Sequence, residues 1–281
     1  MAKYGVHAFV WIDEWTVEKG NFVINEAAKL GFDFIEVPLL RPDEFEVKAH
    51  KKTLEQARIG VTGSVALPKD AHMPNYPEKA NKFLIGVLDK LQELGGNYLC
   101  GCLACALGVF TGKPPSEEER QVVIETLKEV ASEAKKRGIT LGLEAVNRYE
   151  SYMYNSLEDV RAAIRKIDAN NIELHADTYH MNIEENGFYN PLLACADVLG
   201  YIHMSESHRG VLGTGTVNWD EVFRGLADAK YKGPMVLESF AAINPDLAAA
   251  TCLWRLPNVE PSFLAMEGLR FLRAGAERAG L

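Results

Sequence analysis

The 281-residue sequence lacks several features that would place it in a broad class of protein. No apolar run approaches the roughly 18 residues that a membrane-spanning helix needs. The N-terminal stretch MAKYGVHAFVW has neither a basic start nor a small-residue cleavage site, so we expect no signal peptide. The five cysteines are too few, and odd in number, for a disulfide scaffold, which favours a reducing, cytoplasmic location.

The sequence also has no concentration of positive charge. Lysine and arginine number 30 against 39 acidic residues, the formal net charge is −9, and no run is rich in basic residues. Proteins that bind nucleic acids usually present a basic surface to the phosphates. We therefore predict neither a nucleic-acid nor a membrane partner, and the charge balance favours a small-molecule substrate.

Strand-like and helix-like segments alternate along the chain, and no linker or low-complexity segment divides it. The apolar residues of 17–31 and 118–138 recur at helical spacing, each segment closes on glycine, and Pro261 begins a final helix. Buried strands are predicted at eight places, namely 4–11, 34–40, 61–67, 97–104, 140–146, 172–178, 201–207 and 234–240.

This alternation predicts a parallel sheet and the α/β fold class. Eight strand–helix units of about 35 residues fill the chain, which predicts one domain, residues 1–281, folded as a single (β/α)8 TIM barrel. The alternative is an open doubly wound sheet, which usually carries a glycine-rich phosphate loop after its first strand. Here the first strand is followed by WIDEWTVEKG, which has no such loop. A barrel places catalytic residues at the C-terminal ends of its strands.

A carboxylate within an apolar strand is the first sign of a functional site. Glu144 lies in the stretch LGLEAV, and an ionised carboxylate costs several kcal/mol to bury without a partner. The next three predicted strands carry Asp177, His203 and Glu238 near their ends, each about one strand–helix unit further along. Neighbouring strand ends meet when a barrel closes, so we expect the four side chains to converge.

Three carboxylates and one imidazole make a donor set that is mostly oxygen. Such a set suits Mn²⁺, Co²⁺ or Mg²⁺ better than a structural zinc site, which prefers sulfur and nitrogen. A divalent cation would also supply the charge that Glu144 lacks. Each residue could instead be a separate, satisfied polar group, but acidic residues are rarely buried unpaired. We therefore predict one site for a divalent metal, with Mn²⁺ favoured.

The same residues lie in runs that resemble the ketose 3-epimerases, a group within the xylose-isomerase-like TIM barrel superfamily. This group includes D-tagatose 3-epimerase, D-allulose (D-psicose) 3-epimerase and L-ribulose 3-epimerase. Residues 144–150 resemble its ExxNRxE signature, 177–185 its DT[FY]HMNIEE run, and 203–209 its HxxExxR pattern. The GxG…WDE pattern at 213–221 and the Trp-Arg pair at 254–255 extend the resemblance to nearly the whole chain.

The resemblance implies an isomerase that interconverts free ketoses at C3. Pairs such as D-fructose and D-allulose, D-tagatose and D-sorbose, or L-ribulose and L-xylulose would be its substrates. It implies that Glu144, Asp177, His203 and Glu238 hold the metal and that Glu144 and Glu238 are the two acid/bases. Inversion at C3 requires removal of its proton and return of one to the opposite face, through a metal-bound cis-enediolate.

The resemblance further implies that Glu150, His180 and Arg209 hold the O1–O3 end of the sugar. It also implies a homodimer or homotetramer. His7, which lies in the first strand, is predicted to line the pocket and bind substrate, with a purely structural role as the alternative. His175 is expected to be a satisfied structural histidine, and a supporting role for the metal site is the alternative.

Two further sequence features and the type of reaction each admit an alternative. The CGCLAC run at 100–105 is interpreted as small buried cysteines rather than a thiolate site. The loop 104–115, with Leu107, Val109 and Phe110, departs from the aromatic pattern of the tagatose and allulose enzymes, which leaves the preferred ketose undecided. An aldose–ketose isomerase on the same barrel is the main functional alternative. A multi-metal nuclease is less consistent with the net negative charge. A non-catalytic sugar-binding barrel is less consistent with the retention of both acid/bases, which binding alone does not need.

Overall fold

The computed structural model describes residues 2–240, 242 and 244–281. Within this part of the chain, eight parallel strands pair in sequence order, and the eighth pairs with the first to close the barrel. The strands are β1 (Tyr4–His7), β2 (Phe34–Pro38), β3 (Gly60–Leu67), β4 (Tyr98–Ala106), β5 (Thr140–Glu144), β6 (Ile172–Asp177), β7 (Leu199–Met204) and β8 (Met235–Leu237). The predicted single (β/α)8 barrel is confirmed. Positions 1, 241 and 243 of the predicted domain lie outside the described residues.

Helices follow the strands around the outside of the barrel. They are α1 (Val17–Leu30), α2 (Val47–Ala57), α3 (Pro77–Leu94), α4 (Glu117–Lys136), α5 (Leu157–Ile167), α6 (Thr178–Glu184), α7 (Tyr189–Ala194), α8 (Trp219–Asp228), α9 (Pro245–Thr251) and α10 (Pro261–Ala279). Short 3-10 turns lie at Ala8–Val10, Pro42–Glu44 and Lys69–Ala71. In the part of the chain that is described, no helix combines the length and apolar character needed to cross a membrane.

The ends of the helices follow the local signals in the sequence. Gly31 adopts the left-handed conformation after α1, as the terminal glycine predicted. Ser116 accepts a hydrogen bond from the backbone N–H of Glu119, whose carboxylate accepts one in return from the Ser116 N–H. Pro261 is the first residue of α10. These local features were predictable because each involves residues only a few positions apart.

Two apolar clusters hold the strands in place. The larger cluster lies between the strands and the helices and includes Ile35, Leu99 and Leu141. The smaller cluster fills the barrel interior and contains Phe34, Cys100, Tyr201 and Val236, with Tyr98 packed against it. The barrel is therefore a packed core with its functional groups at one end, as in other barrels of this type.

Most strands end earlier than the apolar runs predicted. The first strand was predicted to reach residue 11, but it ends at His7, whose side chain accepts a hydrogen bond from the Phe9 N–H and begins a 3-10 turn. The apolar residues of this turn are buried as deeply as strand residues, which explains the longer prediction. In β4, Gly101 has a φ of 111°, and a Cβ there would lie 2.4 Å from the carbonyl oxygen of Val65. Cys100 and Cys102 are two residues apart in the strand and therefore share a face, and their thiols contact Glu36 and Glu144.

Candidate metal and active site

The four predicted metal ligands lie together at the C-terminal ends of β5 to β8. Glu144 and Asp177 are the last residues of their strands, His203 is next to last, and Glu238 follows β8 directly. Asp177 and His203 are paired residues of adjacent strands, which sets their side chains next to each other. One ligand atom from each of Glu144, Asp177 and His203 lies within 4.8 Å of the others, and all four residues are buried. The predicted convergence is present in the structure.

Glu238 reaches this group through His203 and is also paired with an arginine. Its Oε1 lies 3.3 Å from Nδ1 of His203. Its Oε2 forms an ion pair with Nη1 of Arg209, and the same Nη1 lies 3.0 Å from Oδ2 of Asp177. The guanidinium thus provides the positive charge between two of the carboxylates. Coordination of a cation by both oxygens of Glu238 would require Arg209 to release one of them.

Glu144 is the least compensated carboxylate of the site. Burial raises its pKa to about 8, and the nearby Asp177 carboxylate adds to this, against the opposing effects of His203 and Arg209. Its nearest polar neighbours are weak partners: His180 Nε2 at 3.5 Å, Cys102 Sγ at 3.7 Å and His175 Nδ1 at 3.8 Å. Asp177 differs, because Arg209 and the neighbouring histidines outweigh its burial and lower its pKa.

His203 presents one ring nitrogen to the site and the other to a buried carboxylate. Its Nε2 lies 3.1 and 3.0 Å from the two carboxylate oxygens of Glu36. Its buried Nδ1 has no hydrogen-bond partner among the described residues. Burial disfavours a charged imidazole, but Glu36 outweighs that effect and raises the pKa of His203. A histidine that donates one N–H to a carboxylate and leaves the other nitrogen available is the usual arrangement of a metal ligand.

Glu36 is a buried residue beside the site that the sequence analysis missed. It lies in β2, is fully buried, and also accepts a hydrogen bond from the hydroxyl of Tyr201 at 2.6 Å. The thiol of Cys100 donates to it at 3.4 Å. Its signal was present in the sequence, because a glutamate in the apolar strand FIEVP poses the same question of burial as Glu144. The partner that answers this question is 167 residues away in sequence.

Two of the predicted substrate contacts, Glu150 and His180, are joined by Asn147. The amide of Asn147 donates 2.8 Å to Oε1 of Glu150 and lies 2.7 Å from Nδ1 of His180. The backbone N–H of Asn147 also donates to the same Nδ1 at 3.2 Å. Nδ1 is therefore an acceptor, which leaves the proton of the neutral ring on Nε2. That N–H lies 3.5 Å from Oε1 of Glu144 and 3.6 Å from Oδ2 of Asp177, so it is directed into the site.

Burial also sets the charge of these two groups. It lowers the pKa of His180 to about 3, so the ring is neutral near pH 7. It raises the pKa of Glu150 to about 7, against the lowering effects of Arg209 and Asn147. The site therefore contains a neutral histidine donor and a carboxyl group that exchanges its proton near neutral pH.

Arg209, the third predicted substrate contact, is held by the loop between β7 and α8. Its backbone has a φ of 58°, in the left-handed region, and its carbonyl accepts a hydrogen bond from the Ser239 hydroxyl. The guanidinium lies 3.7 Å from the ring centroid of Tyr179 and donates 3.0 Å to the Ser205 hydroxyl. These contacts fix the guanidinium beside Asp177 and Glu238.

A second buried carboxylate organises this loop. Glu206 accepts hydrogen bonds through Oε1 from the backbone N–H groups of Ser207 at 2.9 Å and Val217 at 3.2 Å. Its Oε2 accepts from the Gly213 N–H and from the Trp219 indole, both at 2.9 Å. These donors lower the pKa of Glu206 despite its burial. The HxxExxR run thus places a loop-organising glutamate between His203 and Arg209.

His7 lies next to the site but is occupied by structural partners. Its Nδ1 accepts from the Phe9 N–H at 3.1 Å, its Nε2 lies 3.1 Å from the Ser64 hydroxyl, and Glu36 is 3.6 Å away. Burial lowers its pKa to about 4, so it is neutral near pH 7. Its ring centroid is 6.0 Å from that of His203. The predicted substrate contact by His7 stays a prediction.

The cysteines and His175 show one agreement and one departure from expectation. Burial raises the pKa of Cys100 and Cys102 well above the usual value and that of Cys105 to about 11, so these side chains are thiols, as the sequence indicated. His175 was expected to be satisfied, but neither of its ring nitrogens has a hydrogen-bond partner among the described residues, although it is fully buried. In the loop after β4, Leu107 and Val109 are half-buried and Phe110 is exposed.

A closed (β/α)8 barrel that gathers buried carboxylates and histidines at the C-terminal ends of its strands has the arrangement of a TIM-barrel enzyme site. The chain belongs to the xylose isomerase-like TIM barrel family, whose model matches residues 24–274, and within that family to the ketose 3-epimerases. It is 37% identical to an L-ribulose 3-epimerase of Methylomonas sp. (strain DH-1), covering 96% of each chain.

Two further comparisons agree. The chain is 33% identical to a ketose 3-epimerase of Arthrobacter globiformis over 90% of this chain and 89% of that one. The crystal structure of D-allulose 3-epimerase from Methylomonas sp. in complex with D-allulose superposes with a TM-score of 0.94 at 36% identity, covering 97% of this chain and 96% of that one. The resemblance stated from the motifs is confirmed.

Proposed function

We propose that the chain is a metal-dependent ketose 3-epimerase, an isomerase that inverts the configuration of free ketoses at C3. The observation that carries the proposal is the convergence of Glu144, Asp177, His203 and Glu238 at the strand ends. The names of the relatives, which include an L-ribulose 3-epimerase and a D-psicose 3-epimerase, support the substrate class.

The same four residues would hold the divalent cation, for which we propose Mn²⁺, with Co²⁺ or Mg²⁺ as alternatives. Two observations support the fit. The buried Nδ1 of His203 lies beside Glu238 but has no hydrogen-bond partner within the described part of the chain, and the pKa of Glu144 is raised. The donor set of three carboxylates and one imidazole is that of a hard to borderline divalent ion. When bound, such a cation acts as a Lewis acid that stabilises negative charge on the oxygens next to C3.

The two glutamates would perform the proton transfers. Inversion at C3 requires a base on one face of the sugar and an acid on the other, with the roles exchanged in the reverse direction. Glu144 and Glu238 contact different neighbours: Glu144 lies beside His180 and Cys102, and Glu238 lies beside His203 and Arg209. This separation supports opposite faces. One glutamate, as the carboxylate, removes the C3 proton and leaves an enediolate, and the other, as the carboxylic acid, returns a proton to the opposite face of C3.

The other predicted contacts would orient the sugar and stabilise its oxygens. The Nε2–H of the neutral His180 and the guanidinium of Arg209 are hydrogen-bond donors directed into the site. The carboxyl group of Glu150, held by Asn147, would accept a hydrogen bond from a sugar hydroxyl. Arg209 is paired with Glu238, so hydrogen bonds from Arg209 to oxygens of the bound sugar would replace part of that ion pair.

The experiment that tests this proposal is proton exchange in deuterated water. Purified protein with Mn²⁺ is incubated with D-fructose, D-allulose, D-tagatose or L-ribulose, and the products are read by NMR. We expect ketose inverted at C3 with deuterium at that carbon, and the relative rates identify the preferred sugar. Aldose products labelled at C2 would instead identify an aldose–ketose isomerase. Absence of exchange with every sugar and every divalent metal would refute the proposal.

Substitutions separate the roles of the two glutamates. Glu144→Gln and Glu238→Gln each remove one acid/base, and we expect each to lower kcat by at least roughly 100-fold. Glu173→Gln is the matched control, because Glu173 is a barrel carboxylate that is half-buried and accepts a hydrogen bond from Tyr98 instead of facing the site. Equal activity of all three variants would contradict the two-glutamate mechanism. The homodimer or homotetramer and the cytoplasmic location stay predictions, for which sedimentation and cell fractionation are the measurements.

A further inference from the structure

A second group of potential metal ligands lies deeper in the barrel than the candidate site. It consists of Cys100 on β4, His175 on β6, His203 on β7 and Glu36 on β2, and we call it the inner cluster. One ligand atom from each of Cys100, His175 and His203 lies within 4.8 Å of the others. The carboxylate of Glu36 is 3.4 Å from the Cys100 sulfur and 3.0 Å from His203 Nε2. We propose that the inner cluster is a binding site for a thiophilic divalent cation such as Zn²⁺ or Cd²⁺.

The donor atoms of the inner cluster differ in kind from those of the candidate site above it. The upper site offers mainly carboxylate oxygens, which suit Mn²⁺ or Mg²⁺. The inner cluster offers one sulfur, two imidazole nitrogens and one carboxylate. Four donors of this mixture are what tetrahedral zinc takes in proteins. The two groups therefore select cations of different softness.

His175 is the independent observation that points to a ligand in the inner cluster. It is fully buried, yet its two ring nitrogens have no hydrogen-bond partner among the described residues. Its ring packs edge-on against His203, with ring centroids 4.2 Å apart. Buried polar groups are nearly always satisfied, and each exception calls for an explanation. A cation held between His175, Cys100 and His203 would use a lone pair that is otherwise unpaired.

Charge balance also permits a buried cation at this position. Glu36 accepts hydrogen bonds from the Cys100 thiol and from the Nε2–H of His203. A divalent cation that binds the sulfur replaces the thiol proton, while the ring proton of His203 moves from Nε2 to Nδ1. The cation then faces two negative charges, those of the Cys100 thiolate and of Glu36, which together neutralise it and avoid the large cost of burying an uncompensated ion.

His203 connects the inner cluster to the candidate site. A neutral imidazole that binds a cation through Nε2 carries its proton on Nδ1, the atom directed toward Glu238. Occupation of the inner cluster would then remove His203 from the upper site, and the two sites would exclude each other. This mutual exclusion rests on the metal centre proposed above, whereas binding to the inner cluster does not.

Binding is tested on metal-free protein with Cd²⁺, because a cadmium–thiolate bond gives an ultraviolet charge-transfer band. The exposed thiol is first removed by Cys252→Ser. We expect the band to saturate at one Cd²⁺ per chain and to disappear with Cys100→Ser. It should persist with Cys102→Ser, the matched control two residues along the same strand. Absence of the band, or its survival in Cys100→Ser, would overturn the proposal.

A second variant and a second metal check the remaining ligands and the exclusion. His175→Gln should weaken Cd²⁺ binding by more than the roughly 10- to 100-fold that loss of an outer partner costs; unchanged binding would remove His175 from the site. Zinc is then added to protein that has Mn²⁺ bound. The zinc concentration that releases Mn²⁺ should be lower for the parent protein than for Cys100→Ser. Equal release would refute mutual exclusion. Neither readout uses epimerase activity, so failure of the proposed function leaves the cadmium result interpretable.

Discussion

Replacement of Glu36 by glutamine tests whether a carboxylate outside the ligand set controls metal binding. Glu36 accepts hydrogen bonds from His203, Tyr201 and Cys100. Glutamine keeps the size of the side chain but offers one acceptor oxygen and an amide that donates. At least one of the three donors therefore loses its acceptor, and His203 loses the anionic partner that raises its pKa.

The size of the effect follows from this change in His203. Loss of a partner that orients a metal-binding histidine typically costs 10- to 100-fold in metal affinity, or about 1.4 to 2.8 kcal/mol. We expect Glu36→Gln to bind Mn²⁺ weaker by this factor, measured by titration of metal-free protein with the electron paramagnetic resonance signal of free Mn²⁺. Circular dichroism reports whether the fold is retained.

Glu173→Gln is the matched control for this measurement. Glu173 is a carboxylate in β6 that accepts a hydrogen bond from the Tyr98 hydroxyl at 3.1 Å, as Glu36 accepts one from Tyr201. We expect it to bind Mn²⁺ as the parent protein does. If Glu36→Gln shows the same affinity as Glu173→Gln, then Glu36 does not act through His203, and the reasoning is wrong.

Three further predictions follow from the charges and hydrogen bonds of the site. Because Glu144 in the metal-free protein has a pKa of about 8, Mn²⁺ must displace its proton. Mn²⁺ affinity should therefore rise about tenfold per pH unit from pH 6 to 8. Glu144→Gln removes this proton, so the slope of affinity against pH should fall by one proton. Asn147→Ala removes a donor to His180 Nδ1 and should lower kcat roughly tenfold while Mn²⁺ affinity stays constant; a change in affinity alone would argue against a role in orienting the ring. Glu206→Gln leaves donors of the Arg209 loop unpaired and should lower the free energy of unfolding by about 1–3 kcal/mol in urea titrations; unchanged stability and kcat together would show that the loop does not depend on Glu206.

The pH prediction for Glu144 has a matching consequence for stability. Its pKa rises on folding from an ordinary 4.5 to about 8, so the folded metal-free protein binds more protons than the unfolded chain in that range. The contribution of Glu144 to the free energy of unfolding therefore decreases as pH increases through this range. Thermal unfolding of metal-free Glu144→Gln should lack this decrease. A parallel pH dependence in both proteins would show that Glu144 is not the titrating group.

The barrel and the convergence of buried polar residues at its strand ends were predictable because their signals are local and repeated. Each strand is an apolar run of a few residues, several helices end at a nearby glycine or begin at a capping residue, and the unit recurs eight times. Once the barrel is assumed, strand order alone brings Glu144, Asp177 and His203 together. The family motifs then supplied roles that the spacing by itself did not assign.

The partners of these residues could not be predicted in the same way. The contact of Glu36 with His203, and that of Arg209 with Glu238, depend on how the barrel closes and how one loop folds over it. Strand ends were overestimated for a related reason: apolar residues such as Phe9 continue into turns that are buried by the helices and loops around them. Burial alone does not distinguish a strand from the turn that follows it.

The contact between Glu36 and His203 also links the two halves of the chain. The proposed metal ligands all lie at the ends of β5 to β8, in the C-terminal half of the chain. The carboxylate of Glu36, which contacts the ligand His203, belongs to β2 in the N-terminal half, so neither half contains the complete metal centre. For the proposed metal centre, separation of the two halves would weaken metal affinity even when every proposed ligand is present. By the same linkage, a bound cation would oppose opening of the barrel between its halves.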